Sequence, residues 1–153
     1  MTDPASSALV LIRPPEPDER EAFIRMALAS WLDAYDGLLP ADTVRQAPDM
    51  ITKAADERFN EFRVAVRDDN LLGYYSLGDA NYLWHLYVDP AHFRQGLGKS
   101  LLTAAEEEIR QRGFPAVELD VTKGNDRALR FYEAQGFVVY GEDDGEILMK
   151  KDL

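Results

Sequence analysis

The sequence has no cysteine and only two histidines, His85 and His92. Without cysteine there is no disulfide, no thiolate nucleophile and no thiol metal site. Two histidines without a helical His-x-x-x-His spacing make no metal site either, and no metal is expected. Long apolar runs are also missing. None approaches the roughly 20 residues needed to cross a bilayer, so no membrane partner is expected. The start, Met1-Thr2-Asp3-Pro4, lacks a basic segment leading into an apolar stretch, which argues against a secretory signal and leaves a cytoplasmic location as the expectation. Positive charge is scarce: 17 Lys and Arg stand against 28 Asp and Glu, a formal net charge of −11. That balance repels phosphate backbones and disfavours nucleic acid, whereas a cationic acceptor such as an amine is attracted.

What is present is enough apolar sequence for a real core: 46% of 153 residues, spread along the chain, which fits one domain over residues 1–153. Ala8 to Arg13 reads as a first strand ended by Pro14-Pro15. Asp18, with Glu21 three residues on, reads as the capping box of a helix whose apolar face is Ala22, Phe23, Met26, Ala27 and Ser30-Trp31, stopped at Gly37 and Pro40. A second helix is expected from Ala41 to about Asn60, with Val44, Met50, Ile51, Ala54, Ala55 and Phe59 as buried positions. Phe62 to Val66 and Leu71 to Leu77 read as a hairpin around Asp68-Asp69-Asn70, and Tyr82 to Val88 as a central strand. A helix follows from Gly98 to Arg112, then a strand from Ala116 to Val121, a short helix capped by Asn125, and a final hairpin from Phe137 to Met149. The order β-α-α-β-β-β-α-β-α-β-β predicts an α/β fold: a mixed sheet of six to seven strands flanked by about four helices. The helical crossover makes the strands at 82–88 and 116–121 parallel.

The chemistry sits in a strand, a glycine turn and a helix: Leu86-Tyr87-Val88-Asp89-Pro90, Phe93-Arg94-Gln95-Gly96-Leu97-Gly98-Lys99, Ser100-Leu101-Leu102. A turn at a helix start leaves backbone N–H groups unpaired where the helix dipole favours negative charge, an anion site in waiting. Glycine at 96 and 98 lets a phosphate approach the backbone. A Walker A loop ending at Gly98-Lys99-Ser100 would need glycine at position 93, which is Phe93. A dinucleotide fingerprint would need a small residue at position 101, which is leucine. Further along, Asn125-Asp126-Arg127-Ala128-Leu129-Arg130-Phe131-Tyr132-Glu133-Ala134-Gln135-Gly136-Phe137 supplies an Asn followed by Ala, Phe-Tyr and Gly-Phe.

Taken together, Leu83 to Leu102 and Asn125 to Phe137 resemble, in order, the two central motifs of the GNAT acetyltransferases. The resemblance implies acetyl-CoA as co-substrate, its pyrophosphate on Arg94, Gln95, Gly96, Leu97, Gly98, Lys99 and Ser100. It also implies that the strands at 82–88 and 116–121 splay apart around the pantetheine arm, held by backbone groups near Leu86, Tyr87 and Val88. Where this family usually has Arg or Gln three positions before the first glycine, the chain has Phe93, and Lys99 or Arg94 could supply the missing positive charge. The family assigns Asn125 to pantetheine binding and Tyr132 to general acid catalysis. Tyr132 lies two turns beyond Asn125 on one helix face. Asp120 stands where some members carry a catalytic Glu and is the candidate base, with Glu118 and Thr122 on its face by period two.

His85 has a suitable unperturbed pKa and is a further candidate, on the strand at 82–88. Trp31 and Tyr35, in a stretch similar to the acceptor-pocket wall of some members, could form an aromatic wall for an amine. The implied function is acetyl transfer to a primary amine of a small molecule or peptide. The alternatives are an acyl-CoA-binding sensor without turnover and a nucleotide-binding protein. Exposed edge strands admit a homodimer.

Overall fold

The computed structural model describes residues 9–153. Seven strands form two antiparallel sheets rather than one mixed sheet. β1 (Leu11–Arg13), β2 (Phe62–Arg67), β3 (Asn70–Leu77) and β4 (Leu83–Val88) follow in that spatial order, and β5 (Ala116–Thr122), β7 (Glu146–Asp152) and β6 (Val138–Asp143) form the other sheet. The parallel pairing expected between β4 and β5 is reduced to one bridge, Tyr82 with Glu118. Asn81 makes that fork. Its backbone carbonyl accepts from the Glu118 N–H at 3.0 Å, and its side-chain amide donates to the Ala116 carbonyl (3.0 Å) and the Glu118 carboxylate (3.1 Å). Beyond the bridge the two strands part.

Among the described residues there are five α-helices: α1 (Arg20–Tyr35), α2 (Ala41–Arg45), α3 (Ala47–Arg58), α4 (Leu97–Gln111) and α5 (Asp126–Ala134). The expected single helix over 41–60 divides at Gln46, and Pro48 sits in the first turn of α3, where its missing N–H costs nothing. The capping box precedes the expected one. Glu19 accepts from the Glu16 backbone N–H at 2.7 Å, and a 3-10 turn over Pro17–Glu19 leads into α1. The same Glu19 pairs with Arg13 of β1 at 2.8 Å, which a reading of local spacing alone does not register. The first strand is shorter than expected, starting at Leu11, and Ala8 lies outside the described residues. Met50, expected inside, is 48% exposed, while Ile51 and Ala55 of α3 are buried.

Two apolar clusters hold the layers. Phe23, Met26, Ala27 and Trp31 of α1 pack with Ile51 of α3 against Phe62, Val64 and Tyr74 on one face of the first sheet. Leu101, Leu102, Ala105 and Ile109 of α4 pack with Val117, Leu119, Val121, Tyr132, Phe137 and Met149 on the other side. Each such fully buried side chain contributes roughly 1.5–3 kcal/mol, so α4 and α5 are fixed firmly against the parting strands. Glu106, buried within α4, forms an ion pair with Lys151 of β7 at 2.6 Å. The β2–β3 turn carries Asp68 and Asp69 at φ 51° and 65°, the twisted two-residue hairpin geometry that aspartate tolerates.

Candidate active site

Where β4 and β5 diverge they leave a cleft of about 440 Å³. Leu83 to Tyr87 line one side, Leu119 to Thr122 the other, and Tyr35, Asn125, Ala128, Tyr132 and Glu146 close it. In an antiparallel ladder a residue exchanges its N–H and C=O with one neighbour, so alternate residues of β4 bond to β3 and the others present theirs to the cleft. The side chains of Leu86 and Val88 join the cluster under α4, and that of Tyr87 joins the cluster under α1. What Leu86 and Val88 can offer a ligand is therefore mainly backbone, while Tyr87 also brings its hydroxyl to the Tyr35 side of the cleft.

At the carboxyl end of β4 comes the glycine turn. Arg94 (φ 66°) and Gly96 (φ 74°) are both left-handed, and Gly96 is the N-cap of α4. The first bond of the helix runs from the Ser100 N–H to the Gly96 carbonyl at 3.1 Å. The N–H groups of Leu97, Gly98 and Lys99 thus lie in the first turn, without intrahelical partners. Leu97 itself is buried in the core, while Arg94, Gln95, Lys99 and Ser100 are exposed. Gln95 accepts from Arg67 at 2.7 Å, and the Ser100 hydroxyl donates back to the Gly96 carbonyl at 3.1 Å. A Cβ on Gly98 would not project into solvent, as a phosphate-clearance argument alone assumes; it would meet Phe131 of α5 at 3.2 Å. Phe93 has a partner of its own: the Arg127 guanidinium lies 4.6 Å from its ring centre and pairs with Asp33 of α1. One cation thereby ties the turn to α1 and α5.

Asn125 caps α5, its side-chain oxygen accepting from the Ala128 N–H at 3.3 Å. Tyr132, two turns on, is 8% exposed and packs against Phe131 and Phe137 at centroid distances of 5.2 and 5.3 Å. Burial, with the nearby Tyr35 phenol and Asp120, pushes its pKa well above the usual phenol value, so its proton is present throughout the working pH range. Across the cleft the Tyr35 and Tyr87 hydroxyls share a hydrogen bond of 3.0 Å. Trp31 does not reach the cleft. It lies in the core behind Tyr35, ring centres 4.9 Å apart, because one turn along α1 places it deeper under the sheet.

Asp120 is exposed at the cleft edge. Glu146, not anticipated from the sequence, joins it there. β7 inserts between β5 and β6 and puts Glu146 opposite Thr122, whose hydroxyl lies 3.3 Å from both carboxyl oxygens. Burial and the adjacent Asp120 raise the Glu146 pKa above the ordinary carboxylate range.

His85 shares its Nδ1 with the Ser76 hydroxyl at 2.6 Å and stacks on Trp84 at 4.7 Å. Burial, and then the Arg58 cation, lower its pKa to about 4. It is a poor proton acceptor near neutrality. A folded-state pKa below the unfolded value of about 6.5 stabilises the fold in full above pH 6.5 and loses that contribution, roughly 3 kcal/mol, as pH falls toward 4. An NMR titration of the imidazole is expected to show a neutral ring down to about pH 5; a midpoint near 6.5 would return His85 to the list of bases.

The chain matches the model of the Acetyltransferase (GNAT) family over residues 20–137. It belongs to that family. By that membership it is an enzyme of the acetyltransferase class. A solved PaiA N-acetyltransferase from Thermoplasma acidophilum, in complex with coenzyme A, is 26% identical with a TM-score of 0.85, covering 95% of this chain and 99% of that one. A spermidine N(1)-acetyltransferase from Thermoplasma acidophilum is 25% identical over 147 residues, 88% of this chain and 91% of that protein. The peptidyl-lysine N-acetyltransferase YiaC from Escherichia coli is 37% identical over 70 residues, and the chain spans 44% of its length. Among the described residues no helix is long and apolar enough to cross a membrane.

Proposed function

We propose that the protein transfers an acetyl group from acetyl-CoA to a primary amine of a small molecule or peptide by direct attack with both substrates bound. The observation that carries this reading is the continuity of the cleft with the glycine turn: Gly98 lies beside Val88, the last residue of β4, so an extended thioester ligand could run from the turn into the gap. The fit is chemical as well as spatial. Three first-turn N–H groups and the exposed Lys99 and Arg94 suit a pyrophosphate. The free strand edges suit the amides of a pantetheine arm, with the Asn125 side-chain amide beside them.

A β4 N–H pointing into the cleft would polarise the thioester carbonyl and hold the oxyanion as the amine adds, a contribution that reaches about 3–4 kcal/mol for one well-placed donor. The C–N bond then forms, the C–S bond breaks, and Tyr132 donates its proton to the departing sulfur. A raised phenol pKa does not oppose this. The thiolate is desolvated in the same cleft, so burial raises the basicity of acceptor and donor together. Relatives named for spermidine and for peptidyl-lysine support a cationic amine, in line with the net charge of −11.

A screen of primary amines with acetyl-CoA, read by release of free thiol, tests the reading. Amine-dependent thiol release is expected. Calorimetric binding of acetyl-CoA with no thiol release from any amine would instead establish an acyl-CoA-binding sensor.

A further inference from the structure

β5 offers one carboxylate to the cleft, Asp120, and the fold brings a second to the same place from β7. Resting on the acetyl-transfer reading above, we propose that Glu146 is the group that takes the proton from the incoming amine, with Asp120 as its partner. Strand register sets the pair: Thr122 faces Glu146 and Asp120 faces Leu148, so Glu146 and Asp120 are diagonal neighbours, and both line the cleft. Tyr132 lines the same cleft. That residue is 8% exposed, and among the described residues its hydroxyl makes no hydrogen bond. An acid and two carboxylates therefore face one space of about 440 Å³.

The proton balance of acetyl transfer calls for such a pair. An amine arrives as an ammonium ion and leaves as an amide, so its nitrogen loses two protons as the C–N bond forms and the C–S bond breaks. One proton ends on the released thiol, by way of Tyr132, and the other passes to solvent. Glu146 takes the first, leaving a neutral amine whose lone pair attacks the carbonyl carbon. Asp120 takes the second from the adduct nitrogen while Glu146 is still protonated; once Tyr132 has protonated the sulfur, one of these two protons restores its phenol and the other leaves to solvent. Of the two, Glu146 is the more sheltered. Its carboxyl is held by Thr122, whereas Asp120 stands exposed at the mouth, suited to drawing in the cation.

The surrounding groups favour proton capture. Asp120 from β5 and Asp144 from the β6–β7 turn are both negative and near, and with burial they move Glu146 toward the protonated form. Tyr132 of α5 stays a neutral phenol at pH 7, His85 of β4 is neutral there, and Tyr35 of α1 lines the same cleft. The nearby cation Lys123 pairs with Glu142, 3.8 Å away. A carboxylate shifted in this direction holds a captured proton better than an ordinary one.

The full chain carries the test, with the best amine from the screen as probe and kcat/KM followed from pH 6 to 9. Glu146→Gln is expected to lose on the order of 10²-fold at pH 7, with the loss shrinking as the amine deprotonates by itself at high pH. Acetyl-CoA affinity by calorimetry should be unchanged. Asp120→Asn should cost less, and Glu146→Asp should keep the wild-type pH shape at a reduced rate. The melting temperature of Glu146→Gln at pH 7 should match or exceed wild type. Ionised Glu146 costs stability as pH rises through its raised folded-state pKa, and Gln removes that cost. A Gln variant with the wild-type pH–rate profile, or one whose loss is the same at every pH, overturns the proposal. So does a Gln variant with weakened acetyl-CoA binding. Wild-type protein that releases no thiol with any amine would sink the acetyl-transfer reading itself; an active wild type with an equally active Gln variant would sink only this inference.

Discussion

Tyr132→Phe is expected to slow single-turnover acetyl transfer by about 10²- to 10⁴-fold, the usual contribution of a general acid, while acetyl-CoA affinity and melting temperature stay close to wild type. The ring is part of the core, against Phe131 and Phe137, and phenylalanine keeps those contacts. The hydroxyl has no hydrogen bond among the described residues, so deleting it leaves no buried group without its partner. What the substitution removes is the proton proposed to meet the departing sulfur. Because the phenol pKa is raised, the wild-type rate should show no alkaline decline from loss of this proton within the usual assay range. Single-turnover rates beside calorimetric binding are the measurement, since product release can mask the chemical step in steady state. A Phe variant that binds acetyl-CoA normally and reacts at the wild-type single-turnover rate removes Tyr132 from the mechanism. One that loses binding and melts early assigns the ring to packing alone.

The parts of this site that were legible in the sequence depend on neighbours a few residues apart. Asn125 as the cap of α5, Tyr132 two turns later and the turn before α4 each follow from local spacing, and each stands where that spacing puts it. Glu146 was hidden because its place depends on sheet order. A hairpin of β6 and β7 is readable locally, but the insertion of β7 between β5 and β6 is decided by which strand edge the second core offers, a choice made many residues away. Trp31 and Tyr35 show the same limit within one helix. Their spacing puts both on one face, yet the packing of α1 on the sheet buries the first and leaves the second at the cleft. The early capping box is a third case, since Glu19 is held in place by Arg13 of a strand as well as by its own turn.

In the acetyl-transfer reading the turn at the start of α4 holds the pyrophosphate. Gly98→Val should weaken acetyl-CoA binding by at least about 100-fold. A charge-assisted hydrogen bond contributes roughly 1.5–3 kcal/mol, and about 1.4 kcal/mol is tenfold in affinity, so misplacing two of the three first-turn N–H donors is enough. The cause is packing rather than backbone strain, because Gly98 lies inside helix α4. A Cβ there meets Phe131 Cε1 at 3.2 Å, Cζ at 3.3 Å and Val88 Cγ2 at 3.9 Å, and the branched γ carbons of valine crowd the same wall. Either Phe131 swings out or the first turn of α4 lifts, and a lifted turn carries the N–H groups of Leu97, Gly98 and Lys99 with it. Overpacking of this kind costs about 1–3 kcal/mol, which lowers the melting temperature without unfolding a helix anchored further on by Leu101, Leu102, Ala105 and Ile109. Adding Phe131→Leu to the valine variant should restore part of the affinity by giving the γ carbons room. Ser100→Ala should bind nearly as wild type, since that hydroxyl is already spent on the Gly96 carbonyl. Calorimetry on the three variants decides the matter: unchanged acetyl-CoA affinity in Gly98→Val would show that the pyrophosphate is held elsewhere than the start of α4.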